Sequence, residues 1–372
     1  MIKIVYLTDQ VYLHGGVEKV LSQKLNYLSK IPNFEVHLIT TEQKGKGYCY
    51  PISDKVIHHD LGVNYKRTKS YFSPVNFKKI PIHIKRLKDN LSEINPDVLI
   101  VCNYAFDFYF IPFISKGIKT IKEYHTSRYN YRATFNNASL FKKVLFKLNA
   151  IIEKKYRYLV VLNNDEQQHF KGSNIIVIPN KIAIKTTKNT IARKNIILAA
   201  GRIAPVKQFD HLIKAWGLIA DRFPDWEVHI YGDGDGSLIN ELKVLIKQLG
   251  TPTVKLIGAT NNLEKKMKEA SIFTLTSETE CFPMVLLESL ACGLPVVSYN
   301  CPYGPSNIIT NGKDGVLVQY NNIEAFSVAL AHLIENSEKR KVMEQAALNN
   351  IERFNENKVM QQWVQLFNKK EK

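Results

Sequence analysis

The stretch Ser271-Ile-Phe-Thr-Leu-Thr-Ser-Glu-Thr-Glu280-Cys-Phe-Pro-Met-Val-Leu-Leu-Glu288-Ser-Leu-Ala-Cys-Gly293-Leu-Pro-Val-Val-Ser-Tyr299 decides the fold. Ile272 to Leu275 is a short apolar, β-branched run of the kind a buried strand needs. A polar turn follows, and Pro283 sits where a helix opens, giving up an N–H that the first turn cannot use. Gly293 closes that helix, and Val296 to Tyr299 reads as a second buried strand. Strand, helix, strand is a βαβ unit, so the chain is read as α/β with parallel sheets. The amides of Met284, Val285 and Leu286 are expected to stay free at the positive end of the helix dipole, where an anion or a ring of hydroxyls fits.

Two carboxylates frame the helix start. Glu280 lies in the turn before it, and Glu288 lies five residues past Pro283, about 7.5 Å along the axis. That distance sets two polar contacts apart instead of pairing them on one oxygen, so they are expected to do different jobs. The plainer alternative is that Glu280 caps the helix and Glu288 is a solvated helical residue.

The string Glu280-Cys-Phe-Pro-Met-Val-Leu-Leu-Glu288 resembles the Glu-x7-Glu signature of the retaining glycosyltransferases of family 4. The likeness continues through Cys301-Pro-Tyr-Gly-Pro-Ser-Asn-Ile-Ile309 and Asn311-Gly-Lys-Asp-Gly-Val-Leu-Val318. In that longer form it is similar to bacterial hexosyltransferases, of galactosyl or N-acetylgalactosaminyl type, that build surface polysaccharides such as lipopolysaccharide and capsule. The resemblance implies the GT-B fold, two Rossmann-like domains with an interdomain cleft. It is dense in the second half and sparse in the first. It departs from the family at Cys281, where a glycine is usual, and a side chain there bears on the donor-sugar pocket.

Composition bounds the partners. Residues 1–190 carry 30 Lys+Arg against 14 Asp+Glu, a net +16, whereas residues 191–372 carry 21 against 20, a net +1. A field of that sign attracts nucleic acid, anionic lipid headgroups or a phosphorylated acceptor alike. The five cysteines, Cys49, Cys102, Cys281, Cys292 and Cys301, form no CxxC pair and no metal-ligand spacing with any of the ten histidines, which fits a reducing cytoplasm. Met1 to Leu7 reads as a strand and not a signal peptide, and no apolar run approaches the ~20 residues of a membrane span. Membrane contact is therefore expected to be peripheral.

Along the first half, Ile2 to Leu7, Phe34 to Thr40, Asp97 to Cys102 and Thr120 to His125 read as strands, with helices over Gly16 to Lys30 and near 78–94. Gly15 and Gly16 open the first helix without a Cβ to hold a phosphate away. Such a pair is more often a simple turn, and no GxGxxG accompanies it. Residues 41–77 read as a long basic loop bearing aromatics, either solvated charge or an acceptor or membrane surface. His125 falls at a strand's carboxyl end, the edge that faces the ligand crevice in open α/β sheets. Leu140 to Tyr158 is an amphipathic helix with Phe141, Val144, Leu145, Leu148, Ile151 and Ile152 on one face. It is expected to pack that face on the sheet, with its lysines outward toward solvent or an anionic bilayer. Strands at Tyr158 to Leu162 and Asn174 to Ile178 follow, and the polar stretch from Pro179 to Lys194 reads as a linker.

The second half opens with the strand Asn195 to Ala200 and the loop Gly201-Arg202-Ile-Ala-Pro-Val-Lys207. A forked guanidinium and a point-charge ammonium there suit two phosphates, against the plainer reading of a loop salt bridge. Gly232-Asp-Gly-Asp-Gly236 and Val254 to Gly258 are further strand-and-turn units. Helices are expected near 323–335 and 338–351 and over Lys358 to Lys369.

The resemblance then implies roles. Arg202 and Lys207 would form a diphosphate clamp and Gly15 and Gly16 the glycine-rich loop facing donor and acceptor. His125 would contact the donor sugar near the reaction centre. Glu280 would hold the sugar hydroxyls and Glu288 the ribose hydroxyls, with Phe282, Pro283, Met284 and Val285 lining the nucleotide-sugar seat. It further implies an acceptor domain over 1–185, a nucleotide-sugar domain over 186–355 and a final helix, 356–372, returning to the first domain. The expected reaction is retaining transfer of a hexose from a nucleotide diphosphate, UDP by expectation, to a glycan carried on a membrane lipid pyrophosphate. No Asp-x-Asp pair is read as a metal ligand set, so neither metal nor cofactor is expected, the two cations standing in for a metal. A GT-B epimerase or phosphorylase would need its own acid/base groups or a cofactor lysine, and a basic nucleic-acid-binding protein would not need this constellation.

Overall fold

The computed structural model describes residues 1–102, 105–129, 139–170, 172–184 and 191–369. The chain divides into two compact units, Met1–Pro179 with Met360–Lys372, and Asn180–Val359. The division falls after Pro179. The boundary expected at 185/186, the linker residues 185–190 and the end of the final helix at 370–372 lie outside the described residues. The last helix, Glu356–Asn368, begins in the second unit and belongs to the first from Met360 onward.

The first unit is built on seven strands: β1 (Ile2–Thr8), β2 (Phe34–Thr40), β3 (Val56–Asp60), β4 (Val98–Val101), β5 (Lys119–Glu123), β6 (Tyr158–Val161) and β7 (Ile175–Val177). Their order is β3-β2-β1-β4-β5-β6-β7, parallel throughout. The middle strands are continuous apolar runs because helices cover both faces of such a sheet, and Val98 to Val101 are buried without exception.

The second unit repeats the design with β8 (Ile196–Ala200), β9 (Glu227–Tyr231), β10 (Val254–Gly258), β11 (Ile272–Leu275), β12 (Val296–Tyr299) and β13 (Gly315–Val318). The order is β10-β9-β8-β11-β12-β13, again all parallel. The expected βαβ unit is present, with Phe273 opposite Val296 in the ladder and the helix Met284–Ala291 between the two strands. Gly293 closes that helix at φ 63°, a left-handed conformation that favours glycine. In each sheet the winding direction reverses once, between β1 and β4 and between β8 and β11. Ligands of open α/β sheets bind outside the carboxyl ends at such a reversal.

Several local expectations change. Residues 41–77 are not one loop, since β3 pairs with β2 and Pro74–Phe77 forms a helical turn. Tyr65 is 1% exposed and donates or accepts at 2.8 Å from His83 Nδ1, so this aromatic anchors the core. The helix expected over Leu140 to Tyr158 ends at Glu153, and most of its apolar face points outward. Only Leu145 and Ile152 of the six expected core residues turn inward. The inward positions are held by Asn149, which accepts from Tyr109 Oη at 2.9 Å, and by Glu153, which takes Tyr124 Oη at 2.8 Å and the Arg128 guanidinium.

Candidate active site

The reversal in the second sheet brings two loops together. One leaves β8 and runs Gly201 to Lys207, and the other leaves β11 and runs Thr276 to Glu280. They are tied by backbone and side chain: Glu278 N–H donates to Val206 O at 2.8 Å, and Thr276 Oγ1 donates to Lys207 O at 3.0 Å. On that frame Lys207 Nζ donates to Glu280 Oε1 at 2.5 Å, and Ser277 Oγ donates to the same oxygen at 2.7 Å. Glu280 Oε2 accepts no hydrogen bond among the described residues. The pair is half-buried, with side chains 22% and 13% exposed. Arg202 is exposed on the same loop with no ion pair among the described residues.

Backbone closeness fixes these loops. Gly234 lies against Ile203, where a Cβ would come within 1.9 Å of the Ile203 carbonyl oxygen, and Gly232 would clash equally with Gly201 O. Those glycines let the turn after β9 run alongside the turn after β8. The Asp233-Gly-Asp235 segment that follows Gly232 does have an Asp-x-Asp spacing. Both carboxylates are engaged by backbone: Asp233 accepts from Ala259 N at 3.2 Å, and Asp235 caps the helix Gly236–Gln248 by accepting from Ser237 N at 2.8 Å.

Glu280 is held from the other side as well. Its N–H donates to Pro302 O at 3.1 Å and its carbonyl accepts from Tyr303 N at 2.9 Å. Gly304 is required behind it, because a Cβ would come 2.7 Å from Pro283 Cδ and 2.8 Å from Glu280 Cβ. Pro283 stands at the helix N-cap, φ −69° and ψ 112°, one position earlier than expected, and Met284 is the first helical residue. The Leu286 amide is not free: it donates to Pro283 O at 3.0 Å. Met284 and Val285 are half-buried at the helix start, and Glu288 is half-buried one turn on. Phe282 and Cys281 are 6% and 7% exposed, and the Phe282 ring packs on Phe354 at 5.4 Å. Phe282 therefore has only its backbone to offer a ligand.

In the first unit His125 lies two residues beyond β5, with its side chain 6% exposed and Nε2 3.3 Å from Glu123 Oε1. Burial, together with Lys24 and Lys122, pushes the imidazole down to about 4, against the pull of Glu123, so it is neutral near pH 7. Glu123 is paired with Lys24, both wholly buried. Burial opposes the charge on Glu123, but Lys24 and His125 hold the carboxyl below its usual range. Lys122 is lowered to about 8 by burial and donates to Val101 O at 3.2 Å. Cys102, Glu123 and His125 each place a donor atom within 4.8 Å of the others. Two ammonium groups at that cluster oppose a further cation. Gly15 is the extended N-cap of the helix Gly16–Leu28, but the Glu18 carboxylate occupies the space its Cβ would take, 2.2 Å away, whereas Gly16 has nothing within 4 Å.

Sequence reading reached Lys207, Glu280 and Arg202 but missed Ser277, whose Ser-x-x-Glu spacing to Glu280 was the available signal. It also missed the ion network around His125, because Lys24, Cys102 and Glu123 are far apart in the chain.

Residues 181–350 match the family of glycosyl transferases group 1. An uncharacterized glycosyltransferase of Haemophilus influenzae is 29% identical over 380 residues, covering 98% of this chain and 99% of its own. The N-acetylgalactosamine-N,N'-diacetylbacillosaminyl-diphospho-undecaprenol 4-alpha-N-acetylgalactosaminyltransferase of Campylobacter jejuni is 27% identical over 363 residues, covering 93% and 94%. Among solved structures, a TarM variant of S. aureus in complex with fondaparinux, alpha-GlcNAc-glycerol and UDP aligns with TM-score 0.77 at 16% identity, over 99% of this chain and all of the other. The fold is GT-B. The chain is a glycosyltransferase.

Proposed function

We propose that the protein is a retaining hexosyltransferase that moves a hexose or N-acetylhexosamine from a UDP-sugar to a glycan on a lipid pyrophosphate, in surface polysaccharide biosynthesis. The observation that carries the reading is the constellation at the β8/β11 reversal. There an exposed arginine, a half-buried lysine and a carboxylate with one uncommitted oxygen share one sheet edge. Leaving-group charge is the largest electrostatic demand of transfer from a diphosphate, and Arg202 and Lys207 meet it without a metal. Glu280 Oε2 takes the donor sugar's hydroxyls, Glu288 the ribose hydroxyls, and the Met284 and Val285 amides the diphosphate.

The anomeric C–O bond to the diphosphate breaks, the acceptor hydroxyl oxygen attacks from the same face, and its proton passes to the leaving phosphate oxygen.

Support for a UDP donor comes from the UDP in the complex of the structural neighbour. Support for a lipid diphosphate acceptor comes from the name of the Campylobacter relative. The reading further places the enzyme peripherally on the cytoplasmic face of an anionic membrane, with no nucleic-acid partner, and the net +16 of residues 1–190 supports such a contact. Incubation with a panel of UDP-sugars, reading released UDP, tests the assignment. Turnover with at least one is expected, and none with any would overturn it.

A further inference from the structure

The helix Leu140–Glu153 is turned inside out relative to its pattern. Leu140, Phe141, Val144, Leu148 and Ile151 are 80%, 63%, 57%, 41% and 57% exposed. At 100° per residue all five fall within about 100° of the helix circumference, so they form one stripe and not scattered surface residues. An isolated exposed leucine needs no explanation, but a contiguous apolar stripe on a charged surface marks an interaction site. The stripe also continues beyond its own helix, since Phe72 lies 6.3 Å from Phe141 and 6.2 Å from Phe77, itself 48% exposed.

The orientation is enforced. Asn149 and Glu153 are committed to Tyr109, Tyr124 and Arg128 on the inward side. Rotating the helix to bury its apolar stripe would strand those buried polar groups without partners.

We propose that this stripe is an interfacial anchor, lying in the headgroup–acyl boundary of an anionic bilayer. Charge complementarity selects that occupant. Lys143, Lys147 and Lys154 fall along one edge of the stripe on the helical wheel, where their stems lie beside apolar surface and their ammonium groups reach anionic headgroups. The half of the chain that carries the stripe also carries nearly all of the excess positive charge, +16 of +17. The inference deepens the membrane-docking part of the proposed function and assigns the contact to insertion as well as attraction. It does not depend on which sugar or acceptor is used.

The full chain and the double variant Val144→Asp/Leu148→Asp are compared by co-sedimentation with phosphatidylcholine vesicles, with and without phosphatidylglycerol. Both substitutions lie on the solvent side, so circular dichroism and UDP release should match wild type. Wild type should bind vesicles containing phosphatidylglycerol, and part of that binding should persist at about 0.5 M salt, where attraction between exposed charges is screened. The variant should bind about tenfold more weakly, and its residual binding should vanish in that salt. Equal binding by the two proteins overturns insertion while leaving electrostatic docking in place. Absence of wild-type binding to either vesicle overturns both. Sedimentation velocity without lipid covers the remaining occupant: a wild-type dimer that the variant converts to monomer would assign the stripe to a second copy of the chain and refute the anchor. UDP release reports on the enzyme assignment separately from every vesicle outcome.

Discussion

Two lysine–glutamate pairs, one in each unit, share their chemistry and differ in their surroundings. Lys24 and Glu123 are each 1% exposed, and the Lys24 ammonium also sits 4.0 Å from the centre of the Trp363 ring. Lys207 and Glu280 are 22% and 13% exposed on two loops at the switch point of the second sheet. A fully buried pair has no water to fall back on, so each charge depends on the other. A half-open pair can exchange its partner for a substrate phosphate or hydroxyl. On the proposed reading, burial, and not the identity of the residues, separates the structural ion pair from the one available to chemistry.

The largest expected effect breaks the buried pair. Lys24→Met takes from the Glu123 carboxylate its ion-pair partner in the interior, which should cost ~3–5 kcal/mol of stability in denaturant unfolding. Adding Glu123→Gln should restore part of it. An unchanged unfolding midpoint for Lys24→Met would show that Glu123 does not rely on its partner, and the comparison would fail on that side.

The open pair should respond in activity instead. Lys207→Ala is expected to lower kcat by two or more orders of magnitude, ~3 kcal/mol of barrier, and Arg202→Ala should behave alike. Neither should change unfolding stability by more than ~1 kcal/mol, since a partly exposed ion pair such as Lys207–Glu280 contributes little and Arg202 is exposed. Wild-type turnover in either variant would remove the clamp from the mechanism.

A finer contrast lies within the second unit. Glu288→Ala should raise Kd for both UDP and UDP-sugar by about tenfold, the loss of one good polar contact, while Glu280→Ala should spare UDP affinity and lose transfer. Calorimetric titration of UDP into both variants separates them. Equal weakening in the two would collapse the division of labour between the carboxylates.

The legibility of the sequence follows the same line. Runs such as Ile272 to Leu275 and Val296 to Tyr299 announce buried parallel strands, because both of their faces must be apolar. Edge strand β3 does not, since only Val56 of Val56-Ile-His-His-Asp60 is buried. Asp107–Ile114 was silent because it is apolar all round with Pro112 inside it, and so has no helical period. The Leu140 helix was misread in orientation because what turns it is tertiary. Asn149 meets Tyr109 and Glu153 meets Arg128, partners 40 and 25 residues away in sequence. In the site, Lys207 and Glu280 were readable as types at loop positions, but their bond spans 73 residues and no spacing rule reaches it. The buried pair was unreadable for the same reason, at a separation of 99.

The smallest effect sharpens the buried side through pH. His125 touches the Glu123 end of the buried pair at 3.3 Å, and its pKa is down at about 4, from an ordinary value of about 6.5. Burial is the main cause, with the two lysines adding to it. Between those values the unfolded chain binds a proton that the folded chain refuses, so stability is full above about pH 6.5 and falls as pH drops toward 4. From pH 7 to 5.5 this one group should remove about 1 kcal/mol. Other groups titrate too, so the measurement is the difference between wild type and His125→Gln, whose neutral amide keeps polar atoms in the place of the ring. Urea unfolding across that range should give the variant the shallower pH slope. Parallel slopes would mean that His125 is protonated in the folded chain, which would place it in contact with solvent and not in the interior that holds Lys24 and Glu123 together.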